Sequence, residues 1–284
     1  MRAFDPEVFD VLWAAVEPLV PRRNETHPLG CHRPRKSDRD CFMVIMVRLA
    51  TGCSWEDAEQ ITGRVVSDTT ARQRRDEWIQ AGVFDAIANE ALAGYDKVIG
   101  LDLSDVAIDG STHKAPVGGE GTGKSPIDRG KLGWKWSIAT DAAGIPIGWA
   151  IGGANRHDIR LLVPTIDAVK ARGLLADIDT LWLDRGYAGK MTMKYLAHIG
   201  VDDAMVAKKR SRGKGKSSKT SSMGLRWPVE RTNSWLSNYG QMRRNTDRKI
   251  SHRLSQLALA IAVILTAKLI DWRNRWSPEL SPIR

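Results

Sequence analysis

From residue 101 onward, short β-forming runs alternate with helical stretches. This alternation restricts that part of the chain to an α/β fold with a mixed sheet. Val106-Ala107-Ile108 is a β-type run that ends at Asp109-Gly110. Residues 134–140 alternate in polarity. Residues 145–151 follow an Asp-Ala-Ala-Gly turn, so the two runs read as a hairpin. Asp158 occupies the capping position of a helix through Ala171. Leu181-Trp182-Leu183 is another short buried strand, and it ends at Asp184. A helix over 189–199 and a strand over 203–207 complete the pattern.

The first hundred residues have a different texture. Residues 38–49 are apolar at helical spacing, and Thr51-Gly52 stops them. Ser54-Trp55-Glu56-Asp57 resembles a capping box, and the helix it opens ends near Gly63. Ser67 opens another helix that meets Gly82 just past its end. Two helices around a glycine-containing turn form a helix-turn-helix pattern. The second helix carries Thr69, Thr70, Arg72, Gln73, Arg74 and Arg75, side chains able to reach bases or phosphates. An ordinary helical bundle is the other reading. The expected division is a helical DNA-binding domain over 1–100 and a catalytic domain over 101–284 that includes the C-terminal helices.

Charge is unevenly spread. Residues 1–100 carry 13 Lys and Arg against 16 Asp and Glu, whereas residues 201–284 carry 18 against 6. The positive field is confined to the last third, which suits a polyanion; a solvated basic tail is the alternative. Residues 208–219 form a low-complexity loop in which seven of twelve residues are cationic. The cysteines are Cys31, Cys41 and Cys53; with His32 their spacing fits no common zinc module. They are consistent with free thiols in a reducing cytoplasm. The apolar stretch 254–270 is interrupted by Ser255, Gln256, Thr266 and Lys268, so it reads as a buried helix packed on the sheet, with no membrane partner.

Asp109 and Asp184 each follow an apolar strand. A rigid strand fixes the position of such a side chain while the following loop leaves it open. Two carboxylates sharing a site repel unless a cation neutralises them, and magnesium prefers oxygen ligands. Glu230 lies near the start of a helix entered through Pro228, where the helix dipole favours an ionised carboxylate. His113 and His157 fall near these positions, and Trp134, Trp136 and Trp227 could stack on an unpaired base.

Residues 118–125, Gly-Gly-Glu-Gly-Thr-Gly-Lys-Ser, match the phosphate-binding loop of nucleotide hydrolases letter for letter. That loop works only when a helix N-terminus follows it, and here Pro126 follows Ser125. Nucleotide binding through Lys124 is therefore disfavoured.

Four segments occur in order: Val-Ala-Ile-Asp109-Gly; Ile127-Asp128-Arg-Gly leading to Lys135-Trp-Ser-Ile; Leu-Asp184-Arg-Gly-Tyr; and Arg226-Trp-Pro-Val-Glu230-Arg231. Gly-Cys53-Ser-Trp55 and Gly153-Ala-Asn-Arg-His157-Asp158 accompany them. This set resembles the DDE transposases of bacterial insertion sequences, the insertion-sequence-five group of the insertion-sequence-four superfamily, over roughly residues 40–270. The resemblance implies a ribonuclease H-like core with a mixed sheet, preceded by a small helix-turn-helix-like domain. It implies Asp109, Asp184 and Glu230 as catalytic residues holding two Mg2+ ions, with Mn2+ as a substitute. It also implies double-stranded DNA as partner, both terminal inverted repeats and target, and a homodimer in the active complex. Expected DNA contacts are Arg72, Arg74, Arg75, Lys208, Lys209, Arg210, Arg226, Arg231, Arg243 and Arg244. The chain departs from the family where its last motif usually has Tyr and Lys: Met223 and Ser237 stand there. A DNA-binding descendant with impaired catalysis is the alternative function.

Overall fold

The computed structural model describes residues 2–22, 35–201, 203–206 and 227–276. Five helices come first: α1 (Pro6–Val16), α2 (Asp38–Thr51), α3 (Trp55–Ile61), α4 (Asp68–Gln80) and α5 (Val83–Val98). Strands β1 (Asp105–Lys114), β2 (Gly123–Lys124), β3 (Leu132–Thr140) and β4 (Pro146–Gly153) follow. Then come α6 (Ile159–Ala171), β5 (Thr180–Leu183), α7 (Lys190–His198) and β6 (Ala204–Val206). Helices α8 (Trp227–Ser237), α9 (Gly240–Arg243) and α10 (Ile250–Trp276) complete the described chain. It divides into two compact units, one of Met1–Ile99 with Leu236–Arg284 and one of Gly100–Trp235.

The helical unit is delimited by caps that were legible in the sequence. Ser54 Oγ accepts the Asp57 N–H at 3.0 Å, and Ser67 Oγ accepts that of Thr70 at 3.3 Å. Gly52 ends α2 in the left-handed conformation, with φ of 76°. The core between these helices is aromatic, with Phe9, Trp13, Phe42, Trp78 and Phe84 in successive ring contacts.

Helix α10 departs from expectation. It was expected on the sheet, within a catalytic domain over 101–284; it packs instead on α5, α1, α4 and α9 in the helical unit. Leu257 through Val263 are all buried, so the helix is apolar around its whole circumference. Such a helix needs neighbours on every side, which a helical bundle provides and one sheet face does not. It is long and apolar enough to cross a membrane by length and composition, and 67% of its apolar window is buried inside the protein.

A buried ionic network closes this unit. Asp247 takes Arg48 at 3.3 Å and Arg75 at 3.2 Å, and Gln256 and His252 also reach its carboxylate. Burial alone would raise the Asp247 carboxyl, but the His252 hydrogen bond, the two guanidinium charges and Gln256 reverse that and hold it well below the usual carboxylate range. The Trp55 ring lies against both guanidiniums, 4.6 Å from Arg48 and 4.9 Å from Arg75.

The second unit is the mixed ribonuclease H-like sheet. Its order is β2-β3-β1-β5-β6, with β4 also paired to β3. Strands β1, β3 and β4 are antiparallel neighbours, while β5 runs parallel to β1 and β6 parallel to β5. The hairpin of β3 and β4 turns at Asp141, whose buried carboxylate accepts the N–H groups of Ile145 and Asp102. Helix α6 lies directly on β4: a Cβ at Gly148 would stand 2.9 Å from the Thr165 carbonyl oxygen, so only glycine fits. One strand is longer than its sequence suggested. The run expected to end at Asp109 continues to Lys114, because β3 keeps pairing with it through Lys114.

Candidate active site

The register of β1 against β5 decides the first part of the site. The last matched pair is Ile108 with Leu183, so the next residue on each strand is Asp109 and Asp184. The two carboxylates therefore leave the sheet at the same level, on neighbouring parallel strands. At this point β5 ends, while β1 runs on with β3 as its partner, Asp109 opposite Ile138. At this level β1 has an antiparallel neighbour in β3 and a parallel one in β5. Both Asp residues are half-buried, and Asp109 Oδ1 accepts its neighbour Gly110 N–H at 2.8 Å.

Side-chain alternation groups Asp109, Ser111 and His113 with Ile138, Trp136 and Trp134 on one face of the sheet. Helix α8 is attached to this face. Trp136 Nε1 donates to Asn233 Oδ1 at 2.7 Å, and Thr232 Oγ1 donates to the Gly144 carbonyl at 2.5 Å. Glu230 lies one turn before Asn233 and on the exposed side of the helix. Among the described residues, no three His, Cys, Asp or Glu groups stand close enough to hold one ion. The register thus brings Asp109 and Asp184 to one level of neighbouring strands, and Glu230 stands exposed on α8.

His113 and the buried tryptophans are structural. The His113 ring stacks on Trp136 at 3.7 Å, and its Nε2 is 2.7 Å from Ser111 Oγ. Burial drives its value down to about 3, so the ring is neutral at ordinary pH. His157 is exposed. Trp134 and Trp136 are fully buried and closed to any base, whereas Trp227 is 54% exposed.

The basic residues separate into groups. Arg74 and Arg75 are only 5% and 7% exposed, so the structure removes them from the expected DNA contacts. Arg74 pairs with Asp38 and Glu77, and Arg75 with Asp76 and Asp247. Arg72 is on the opposite, exposed side of α4 with Thr69 and Gln73, and it reaches back to Asp68 at 2.7 Å. Arg231 lies between the Trp227 and Trp235 rings and bonds the Ala143 carbonyl. Arg243 and Arg244 are exposed. Lys208, Lys209, Arg210, Met223 and Arg226 lie outside the described residues, as do Cys31 and His32. Cys41 and Cys53 are free thiols.

The nucleotide-loop match has no phosphate cradle. Lys124 ends the two-residue strand β2, and residues 126–130 are turns with no helix after them. Gly123 is required for another reason, since a Cβ there would collide with the Asn155 side chain.

Asp158 is the residue that sequence reasoning placed in the wrong role. It precedes α6, yet its side chain makes no cap hydrogen bond. Its Oδ1 instead takes Lys135 Nζ at 2.7 Å. A Cβ at Gly110 would stand 2.9 Å from that oxygen, and one at Gly186 would stand 3.6 Å from Oδ2. The motif containing His157 and Asp158 was the available signal, but capping explained it equally well.

A helical unit and a mixed sheet that carries Asp109 and Asp184 at matched levels of β1 and β5 define the class of fold. Residues 100–265 match the family model described as "Transposase DDE domain", and residues 8–88 match "Putative transposase of IS4/5 family". The first match covers more than half of the chain, and the chain belongs to the DDE transposase family. The matched segment reaches into α10, so the family unit crosses the boundary of the compact units. A relative from Burkholderia cepacia, "Putative transposase for insertion sequence element IS402", is 32% identical over 148 residues, 50% of this chain and 67% of its own. A second protein of that organism, "Insertion element IS402 uncharacterized 16.2 kDa protein", is 31% identical over 43% of this chain and 82% of its own length. Among solved structures, the Mos1 transposase paired-end complex with left transposon end aligns over 65% of this chain and 61% of that chain. The alignment has 11% identity and a TM-score of 0.26, too slight a likeness to carry an argument.

Proposed function

We propose that this chain binds the terminal inverted repeats of an insertion sequence and catalyses metal-dependent DNA strand cleavage and strand transfer, acting as a homodimer that brings two ends together. The register of β1 and β5, which sets Asp109 beside Asp184 in a chain of this family, carries the reading. Mg2+ is commonly held by one or two carboxylates, with water and substrate phosphate completing its shell, and this pair fits that demand. Two such ions would activate a water or a 3′ hydroxyl and stabilise the leaving oxygen. The chain's own part is rigidity and placement. Strand β3 holds Asp109 from its far side, and the Gly110 N–H orients its carboxylate. Glu230 would serve from α8, which Asn233 and Thr232 hold to the sheet unit.

DNA recognition is assigned to the exposed face of α4, with Thr69, Arg72 and Gln73 at helical spacing toward the major groove. Exposed Arg243 and Arg244 supply phosphate contacts, and by charge so do Lys208, Lys209, Arg210 and Arg226. The test is Mg2+-dependent nicking of a supercoiled plasmid carrying the element ends. Wild-type protein is expected to nick it and Asp109→Asn to fail. Full activity in that variant would sink the assignment.

A second reading, a DNA-binding descendant with impaired catalysis, is favoured by one observation: Met223 and Ser237 stand where the family's last motif usually has Tyr and Lys. It predicts repeat binding by the wild-type protein with no metal-dependent nicking.

A further inference from the structure

Behind the two strand-end carboxylates lies a second polar layer on the opposite sheet face. Lys135 pairs across β1 with Thr112, which shares a face with Gly110. It is only 7% exposed, a depth at which an ammonium requires a partner, and Asp158 provides one at 2.7 Å. The Asp158 carboxylate then acts as a wedge. One oxygen abuts Gly110, the residue after Asp109, and the other faces Gly186, two residues after Asp184. One carboxylate, held by Lys135, therefore lies close to both chain segments that carry the proposed metal-binding carboxylates. Buried Tyr187 reports the same crowding. Burial raises its hydroxyl, and Asp158, Asp109 and Asp184 all push it the same way.

We propose that the Asp158–Lys135 ion pair is a positioning element that sets the spacing of Asp109 and Asp184 for a divalent ion. The inference rests on the metal-dependent reading above. Its physical content is that the wedge must be charged at one end and neutralised at the other. A lone carboxylate beside two others would add repulsion to the site, and Lys135 offsets it. Gly110 belongs to the same device, because any side chain there would push the carboxylate away.

The test uses the full chain without DNA. Mn2+ binding is measured by calorimetry for wild type, Asp109→Asn, Asp158→Asn, Lys135→Met and the double variant of Asp158 and Lys135, with thermal melting alongside. Groups that orient metal ligands typically contribute about 10- to 100-fold in affinity. Each single change is therefore expected to weaken Mn2+ binding about tenfold or more. The double variant is expected to be no weaker than the worse single one, since the pair acts as a unit. Folded variants that bind Mn2+ within twofold of wild type, whatever their melting temperature, would overturn the proposal. If Asp158→Asn does not fold, Lys135→Met decides on the same criterion. Asp109→Asn separates the two levels. If wild type binds no Mn2+, or binds it equally well without Asp109, the metal reading itself fails and this inference falls with it.

Discussion

The helical unit and the sheet unit place charge inside the protein in opposite ways. In the helical unit, Asp247 is surrounded by Arg48, Arg75, His252 and Gln256, so each buried charge answers another. In the sheet unit, Asp109 and Asp184 are set next to each other, like charge beside like, where β5 ends and β1 continues. A neutralised cluster stabilises its fold and has no capacity left for a ligand. Two carboxylates brought to one level of neighbouring strands repel unless a cation neutralises them, and that is the role proposed for the metal. The difference separates the basic residues too: Arg74 and Arg75 serve the bundle, and Arg72 faces outward.

The strongest way to break this comparison is to neutralise one charge in each unit. Asp109→Asn or Asp184→Asn is expected to lower metal-dependent nicking by ~10^3-fold or more, the several kcal/mol that metal-held charge stabilisation supplies. Urea stability should stay within about 1 kcal/mol of wild type. A large loss of stability would show that the pair is structural.

Asp247→Ala should do the reverse. Leaving Arg48 and Arg75 buried without their carboxylate should cost about 3–5 kcal/mol in urea unfolding. The sign with pH is set by the depressed Asp247 value. Its contribution is fully present above the unfolded carboxyl value, about 4, and is lost as pH falls through the folded one. Wild type should therefore lose stability in strong acid, and the variant should lose less.

The sheet unit sharpens the contrast, because two of its buried groups oppose each other. His113 is lowered to about 3 by burial, so below about 6.5 the unfolded chain takes up a proton that the folded chain refuses, and stability falls. Asp141 is raised to about 6 by burial, against N–H donors from Ile145, Asp102 and Ala143. Its stabilising contribution is present below the unfolded value and is lost as pH rises through 6. Between pH 4 and 6 the two offset one another. His113→Phe should then gain stability on acidification over that range, and Asp141→Asn should lose it, each by about 2 kcal/mol. Parallel pH profiles in the two variants would contradict the assignment.

The smallest effect is expected at the surface of α4. Arg72→Ala should shift stability by no more than about 0.5 kcal/mol. It should weaken binding to the inverted repeat and reduce the salt slope of that binding by about one. Arg74→Ala should instead destabilise the fold, since Asp38 and Glu77 lose their buried partner and keep Arg35.

Much of the fold was legible because its signals are local. Ser54 and Ser67 cap their helices through their own backbone neighbours, and the turn at 141–144 closes within a few residues. The apolar runs 106–108 and 181–183 were readable as strand, which placed Asp109 and Asp184 directly after them, although β1 continues to Lys114. Asp158 was not readable in this way, because a capping aspartate and a wedge against Gly110 look identical until α6 is docked on the sheet. Helix α10 was misplaced for a related reason: its composition shows that it is buried but not in which core.

The sequence by itself determined the family and the division into helical and α/β textures, since caps, periodicity and apolar runs are written within a few residues. Only the tertiary structure decided which charges face one another. It matched Asp247 to Arg48 and Arg75 across about 200 and 170 positions of chain, and it paired Asp158 with Lys135 across the sheet face. Pairing over such distances depends on how helices and strands dock, and no local rule carries that information.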